Sequence, residues 1–188
     1  MHHIEPFYSW RKYYVSEHDE KNPFYGMDYS SLSPRNTVYN YYIHPYWDEF
    51  GSQTLYLKVL SADYVNQFLI LEFIGEWNDC LYNDIMFLKR NVIDPFIREG
   101  IKYFILIGEN VLNFHYSDDS YYQEWKEDIE DGWIVTIGFR NHVVEEMLKI
   151  HLDHHIYFLE KFLELDWRIF TPQTLFNYVQ QQLHRTLP

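Results

Sequence analysis

Three short apolar runs separated by two helical patterns constrain this chain more than any other feature. Phe68-Leu69-Ile70-Leu71-Glu72-Phe73, Phe104-Ile105-Leu106-Ile107 and Trp133-Ile134-Val135-Thr136-Ile137 are mostly β-branched, leucine or aromatic, and turn residues bound them. Runs of this kind suit strands covered on both faces. Between the first and second runs, Leu81, Ile85, Leu88, Val92 and Phe96 recur at three- and four-residue spacing. Between the second and third, Tyr121, Tyr122, Trp125 and Ile129 do the same. Strand, helix, strand, helix, strand predicts an α/β domain: a mixed sheet with helices packed on it and right-handed crossovers.

The flanking segments extend this pattern. Leu55, Leu57 and Val59 alternate with Tyr56, Lys58 and Leu60, which predicts a strand joined to residues 68–73 as an antiparallel hairpin. Asn78 or Asp79 can cap the first long helix, Pro95 should kink or restart it, and Gly100 should end it. Asp118, Asp119 or Ser120 can cap the second, and Gly132 closes it. Asn141 is placed to cap a third helix carrying Val143, Val144, Met147, Leu148 and Ile150. Residues 155–159 read as a short strand. Thr171 and Pro172 sit at the cap and first-turn positions of a last helix with Leu175, Phe176, Val179 and Leu183 on its apolar face. There is no internal repeat and no low-complexity tract.

Residues 1–50 differ in character from residues 51–188, the α/β domain. They are rich in Tyr, Asn, Ser and Pro and lack helical periodicity. Phe7, Tyr8, Trp10, Tyr13, Tyr14, Phe24, Tyr25 and Tyr29 are too many aromatics for a disordered tail. The segment is therefore expected to be an arm that packs on its own domain or on a second copy of the chain, with a further strand over 37–43. Aromatics make up 20% of the 188 residues, 18 of them Tyr, and tyrosine suits half-buried surfaces and interfaces.

The formal net charge of −13 disfavours nucleic acid and anionic membrane surfaces and favours basic partners. A single cysteine, Cys80, leaves no intrachain disulfide and no thiolate zinc site. It is expected to be a packed thiol. No apolar run is long enough to span a bilayer, and Met1-His2-His3-Ile4-Glu5 is not a secretory signal, so a cytoplasmic location is the expectation.

The element order resembles the STAS domain, the family named for sulfate transporters and anti-sigma factor antagonists. Its carriers are the hairpin ending in Gly75-Glu76-Trp77-Asn78-Asp79, the strand 103–107, the polar turn that follows, and a further strand–helix–strand–helix. The resemblance implies a non-enzymatic regulatory or protein-interaction module. In anti-sigma factor antagonists a hydroxyl in an Asp-Ser-Ser/Gly-like turn is phosphorylated by a partner kinase. The matching segment here is His115-Tyr116-Ser117-Asp118-Asp119-Ser120, so Ser117 and Ser120 are the implied phosphorylation positions. Two Asp stand where the family turn has small residues. That departure leans towards the divergent group similar to lipid-carrying SEC14 domains, which lacks the switch and implies small-molecule or lipid binding as the alternative function.

Polar residues at the exit of a buried parallel strand commonly line a crevice. The expected binding surface is therefore Glu109, Asn110, His115, Ser117, Asp118, Asp119, Ser120, Glu124 and Glu127. The adjoining helix reinforces it with Asp128, Glu130 and Asp131 against Lys126. Glu76, Glu109 and Asp118 would be the carboxylates of a carboxylate-dependent enzyme, a third reading. His151-Leu152-Asp153-His154-His155 offers His151 and His155 at helical i,i+4 spacing. Asp153 falls in a predicted turn and His155 in a predicted strand, so no metal and no cofactor is expected.

Overall fold

The computed structural model describes residues 2–29, 37–38 and 41–186. Strands β1 (His2–Ile4), β2 (Thr37–Val38) and β3 (Tyr41–Ile43) form a small sheet in the order β1-β3-β2. The main sheet holds β4 (Leu55–Asp63), β5 (Phe68–Asn78), β6 (Tyr103–His115) and β7 (Trp133–Ile137) in chain order. β4 and β5 are antiparallel, whereas β5, β6 and β7 run parallel. The expected mixed α/β sheet and its opening hairpin are thus present. Gly75 closes the end of that hairpin at φ +120, and a Cβ there would lie 2.1 Å from the Thr54 carbonyl oxygen, so only glycine fits.

Alternation along the strands divides the interior into two layers. Leu57, Leu71, Phe73, Leu106 and Ile134 face one side. There they meet α2 (Asp84–Leu88), α3 (Asp94–Arg98), α4 (Ser120–Asp128) and α5 (Asn141–Leu148), which follow the short α1 (Asp79–Tyr82). Ile70, Ile105, Ile107 and Val135 face the other side, covered by Trp10 of the arm and by Phe162 and Leu175. The last two come from α6 (Glu160–Leu163) and α7 (Pro172–Thr186). A third cluster joins Val38, Ile43 and Trp47 to Tyr56 and Ile74 of the main sheet. The described part of 1–50 therefore contributes to all three clusters, with Phe24 and Phe50 in the first.

The arm is held by specific bonds as well as by apolar contact. Phe7 packs edge-on against Trp10 and Trp167, at centroid distances of 5.6 and 4.9 Å. The Phe7 backbone N–H donates to the buried Glu72 carboxylate at 2.9 Å, and the Trp10 indole donates to the Phe170 carbonyl at 2.9 Å. Deeper in, Tyr29 donates to Asp48, whose carboxylate lies 3.2 Å from the Lys58 ammonium.

Several local expectations need correction. Residues 108–115 are not a turn: β6 continues to His115, pairing Asn110 with Ile74 and Asn113 with Glu76. The long β5 offers backbone partners there, and backbone pairing outweighs side-chain polarity. Residues 155–159 make a single bridge, Val135 to Tyr157, after a 3-10 turn at Leu152–His154, rather than a strand. Pro95 restarts the helix, as expected: the backbone widens into a π-helical turn over Lys89–Ile93, and α3 then begins with Pro95 in its first turn. Leu81 is 74% exposed and Cys80 is exposed, on the outer side of the one-turn α1, whose inner residue Asp79 is buried. Arg140, not Asn141, holds the α5 N-cap position. Asn78 does cap α1 by accepting the Leu81 N–H at 2.8 Å, and Thr171 accepts the Thr174 N–H at the start of α7. The single strand expected over 37–43 is instead two short strands, β2 and β3, paired antiparallel, with residues 39–40 outside the described set.

Candidate functional site

The parallel strands β5 and β6 end side by side. Trp77 is in register with Phe114, and Asn78 with His115. Beyond them the chain leaves in two directions, into α1 and into the turn that precedes α4. Around this exit the structure builds a buried polar floor and an exposed rim.

Asp79 is the centre of the floor and is 3% exposed. It accepts the Trp77 indole N–H at 3.0 Å, the Ile85 N–H at 2.8 Å and the Tyr122 hydroxyl at 2.6 Å. Burial pushes its carboxyl up to about 7, against the opposing effect of these donors. Burial likewise raises the Tyr122 hydroxyl well above the usual phenol range, and Asp79 adds to it. Asp84 is fully buried and accepts the Asn78 N–H at 2.7 Å, and burial raises its carboxyl as well. These bonds cross-brace the strand end, α1, α2 and α4. Their chemistry is that of a rigid support.

Two carboxylate–histidine pairs make the rim. Glu76 lies 3.3 Å from His115, and Asp119 lies 3.0 Å from His155. Between them Tyr116, Ser117 and Asp118 are exposed. Asp118 accepts both the backbone N–H and the hydroxyl of Ser120, which turns the chain into α4 and lowers the Asp118 carboxyl.

The nine residues expected to form one surface separate into distinct environments. His115, Ser117, Asp118, Asp119 and Ser120 come together in the turn. Asn110 is half-buried in the β6 ladder. Glu109 points to the opposite face of the sheet, where it accepts the Trp167 indole at 2.9 Å and pairs with Arg168 at 2.6 Å. Glu124 faces α2 and the π turn. Arg90 grips it through two bonds of 2.5 and 2.8 Å, and Lys89 approaches at 3.4 Å. Lys89 is fully buried and also binds Asp94 and, at 2.7 Å, Asp128. Burial pushes its ammonium down, but the bonds to Asp128 and Asp94 outweigh this and its pKa is raised. Glu127 remains on the exposed side of α4, accepting from Gln123 at 2.7 Å. Glu76, Glu109 and Asp118 each engage a different partner and do not form a carboxylate pair.

Sequence reasoning missed Lys89 and Arg90 as the neutralising partners of α4, and the buried Asp79, Asp84, Glu72, Asp48 and Lys58. Only the Asn78-Asp79 and Asn83-Asp84 steps carried a local signal, as helix-start residues. Comparison with known proteins gives no family: no family model, no curated protein and no solved structure matches this chain. Among the described residues, no helix is long and apolar enough to cross a membrane.

Proposed function

We propose that this chain is a non-enzymatic regulatory or protein-interaction module of STAS-like architecture. It would recognise a basic protein partner through the turn His115-Tyr116-Ser117-Asp118-Asp119-Ser120 and the outer side of α4. The observation that carries this reading is the exposed Tyr116-Ser117-Asp118 segment, set on a rigid polar floor at the exit of the central strand. A fixed backbone that presents exposed polar groups loses little conformational entropy on binding. The antiparallel hairpin and the parallel strands after it support this reading of the element order, and the further strand that the pattern asks for at residues 155–159 is reduced to one bridge. Ser117 and Ser120 are the hydroxyls available for phosphorylation in this turn. A phosphate there would add charge to a negative segment and strengthen its preference for Arg or Lys.

The acidic surface in this reading is smaller than composition suggests, because Lys89 and Arg90 already neutralise Glu124. The test is a combined Asp118→Asn, Asp119→Asn and Glu127→Gln variant. It should fold as the parent does, since Asp118 and Glu127 are exposed and the amide that replaces the Asp119 carboxylate can still meet His155. Binding to a partner recovered with the parent chain should weaken, and its dependence on salt should flatten. Unchanged affinity would place recognition elsewhere.

A second reading, small-molecule or lipid binding, is favoured by one feature. An open groove of about 420 Å³ lies between the arm, the β4–β5 turn and the start of α7, lined by Tyr13, Tyr14, Tyr64, Val65, Phe68 and Pro172. Its size falls within the usual range for ligand sites.

A further inference from the structure

We propose that His151, Asp153 and His154 form a binding site for one divalent transition-metal ion of the zinc, nickel or copper class. All three side chains are exposed, and one donor atom from each lies within 4.8 Å of the other two. The inference is independent of the recognition surface proposed above.

The backbone explains the grouping. Leu152–His154 is a 3-10 turn with His151 at its N-cap, and the His154 N–H donates to the His151 carbonyl at 3.0 Å. A 3-10 helix has three residues per turn, so side chains three apart eclipse. His151 and His154 are three apart, and their rings stack at 5.5 Å with planes 12° apart. Asp153 supplies the third donor. Helical i,i+4 spacing would instead select His155, but that ring turns away and pairs with Asp119 at 3.0 Å.

The turn is also pinned. Leu152 is fully buried and Ile156 is 2% exposed, both in the core cluster beneath the helices. The donors therefore project from a backbone fixed at both ends, which lowers the ordering cost of capture. His151 adopts a left-handed backbone at φ 60, a conformation that non-glycine residues rarely take. That conformation leads the chain into the 3-10 turn and lays the His151 ring against that of His154.

The donor chemistry matches the ion. Two imidazoles and one carboxylate suit zinc, nickel or copper and leave a coordination position for water. An imidazole binds a metal through a lone pair in its ring plane, so metal–ligand bonds of about 2.1 Å require the His151 and His154 rings to tilt out of their stack and the three donors to close together, which rotation of the exposed side chains allows. Asp94, Glu124 and Asp128 also converge, but the Lys89 ammonium lies among them and supplies the cation. Among the described residues, no lysine or arginine pairs with Asp153, and no side chain hydrogen-bonds to the rings of His151 or His154.

The test uses the full, untagged chain carrying His2→Ala and His3→Ala, which removes two imidazoles at the N-terminus. Zinc is titrated by calorimetry, and cobalt by its visible absorption. One equivalent should bind. His151→Ala or His154→Ala should each weaken it by at least about tenfold, whereas His155→Ala should leave it unchanged. Circular dichroism of each variant checks the fold. Absence of saturable one-to-one binding below millimolar zinc would overturn the proposal. So would binding of undiminished affinity in the His151→Ala/His154→Ala double variant.

Discussion

Lys89 shows how much one residue decides in this molecule. It is a lysine with no exposed surface, and its ammonium meets Asp94, Glu124 and Asp128. Without it, three carboxylates would face each other across the α3–α4 contact. Breaking a buried pair by removing one partner usually costs about 3–5 kcal/mol. Glu124 and Asp128 are 36% and 44% exposed and can turn to water, so Lys89→Met is expected to cost less, about 2 kcal/mol. Urea denaturation at neutral pH measures this, and a loss indistinguishable from zero would mean that Arg90 suffices alone. The same geometry explains why Glu124 is left out of the recognition variant: it is a structural partner of Arg90 before it is a surface charge.

At the level of elements, the arm and the segment from Asp84 to Arg98 are the most instructive. Proline at position 95 removes a backbone donor and crowds the carbonyl four residues earlier. The chain answers by opening one π turn at Lys89–Ile93 and then continuing as α3. Val92, Ile93 and Phe96 stay buried through this change, so the apolar face persists where a break would have lost it. Phe7 and Trp10 help to cover one face of the sheet. Trp10 is 2% exposed and packs on Trp167 at 5.3 Å. Trp10→Ala should cost about 3–5 kcal/mol, as large-to-small aromatic replacements in a core do. Thermal melting checks it, and an unchanged melting temperature would show that the arm is an accessory rather than part of the core.

For the molecule as a whole, buried carboxylates set the pH dependence of stability. Burial raises Asp48 to about 6, and Glu72 and Asp79 each to about 7. Lys58 pulls against burial at Asp48, the Phe7 N–H at Glu72 and the Tyr122 hydroxyl at Asp79. Each group holds its proton more tightly when folded than when unfolded. The folded state therefore binds more protons between the ordinary carboxylate range and about pH 7, and stability falls as pH rises through that window. Glu17, Asp94, Glu124 and Asp118 behave oppositely. Their carboxyls are lowered, so their contribution is lost as pH falls through their folded values. Stability should peak at mildly acidic pH and decline by a few kcal/mol towards pH 8. Urea midpoints measured from pH 4 to pH 8 test this, and a flat or rising profile from pH 5 upward would show that these carboxylates are ionised in the folded protein.

The order of the four main strands and of the helices between them, the hairpin, most of the inward faces and the caps at Asn78 and Thr171 were legible in the sequence, whereas Leu81 and Leu148, read as inward, are exposed and residues 155–159 form a bridge instead of a strand. Each is written in local spacing, with period 2 for strands and 3.6 for helices, and in the few residues that can satisfy a helix end. What lay beyond local spacing was decided by the tertiary structure. Glu72 holds the N–H of Phe7, 65 residues away, and Lys89 neutralises Asp128, 39 residues away. Glu109 turns to Arg168, 59 residues on, and so leaves the surface that its position at a strand exit suggested. Even within five residues, the histidine that joins His151 is set by the pitch of the turn, and the sequence does not state whether that turn is α or 3-10. Periodicity tells which side of a segment is apolar. Which charges meet depends on how the segments are stacked, because a buried charge takes whatever partner the packing brings within reach.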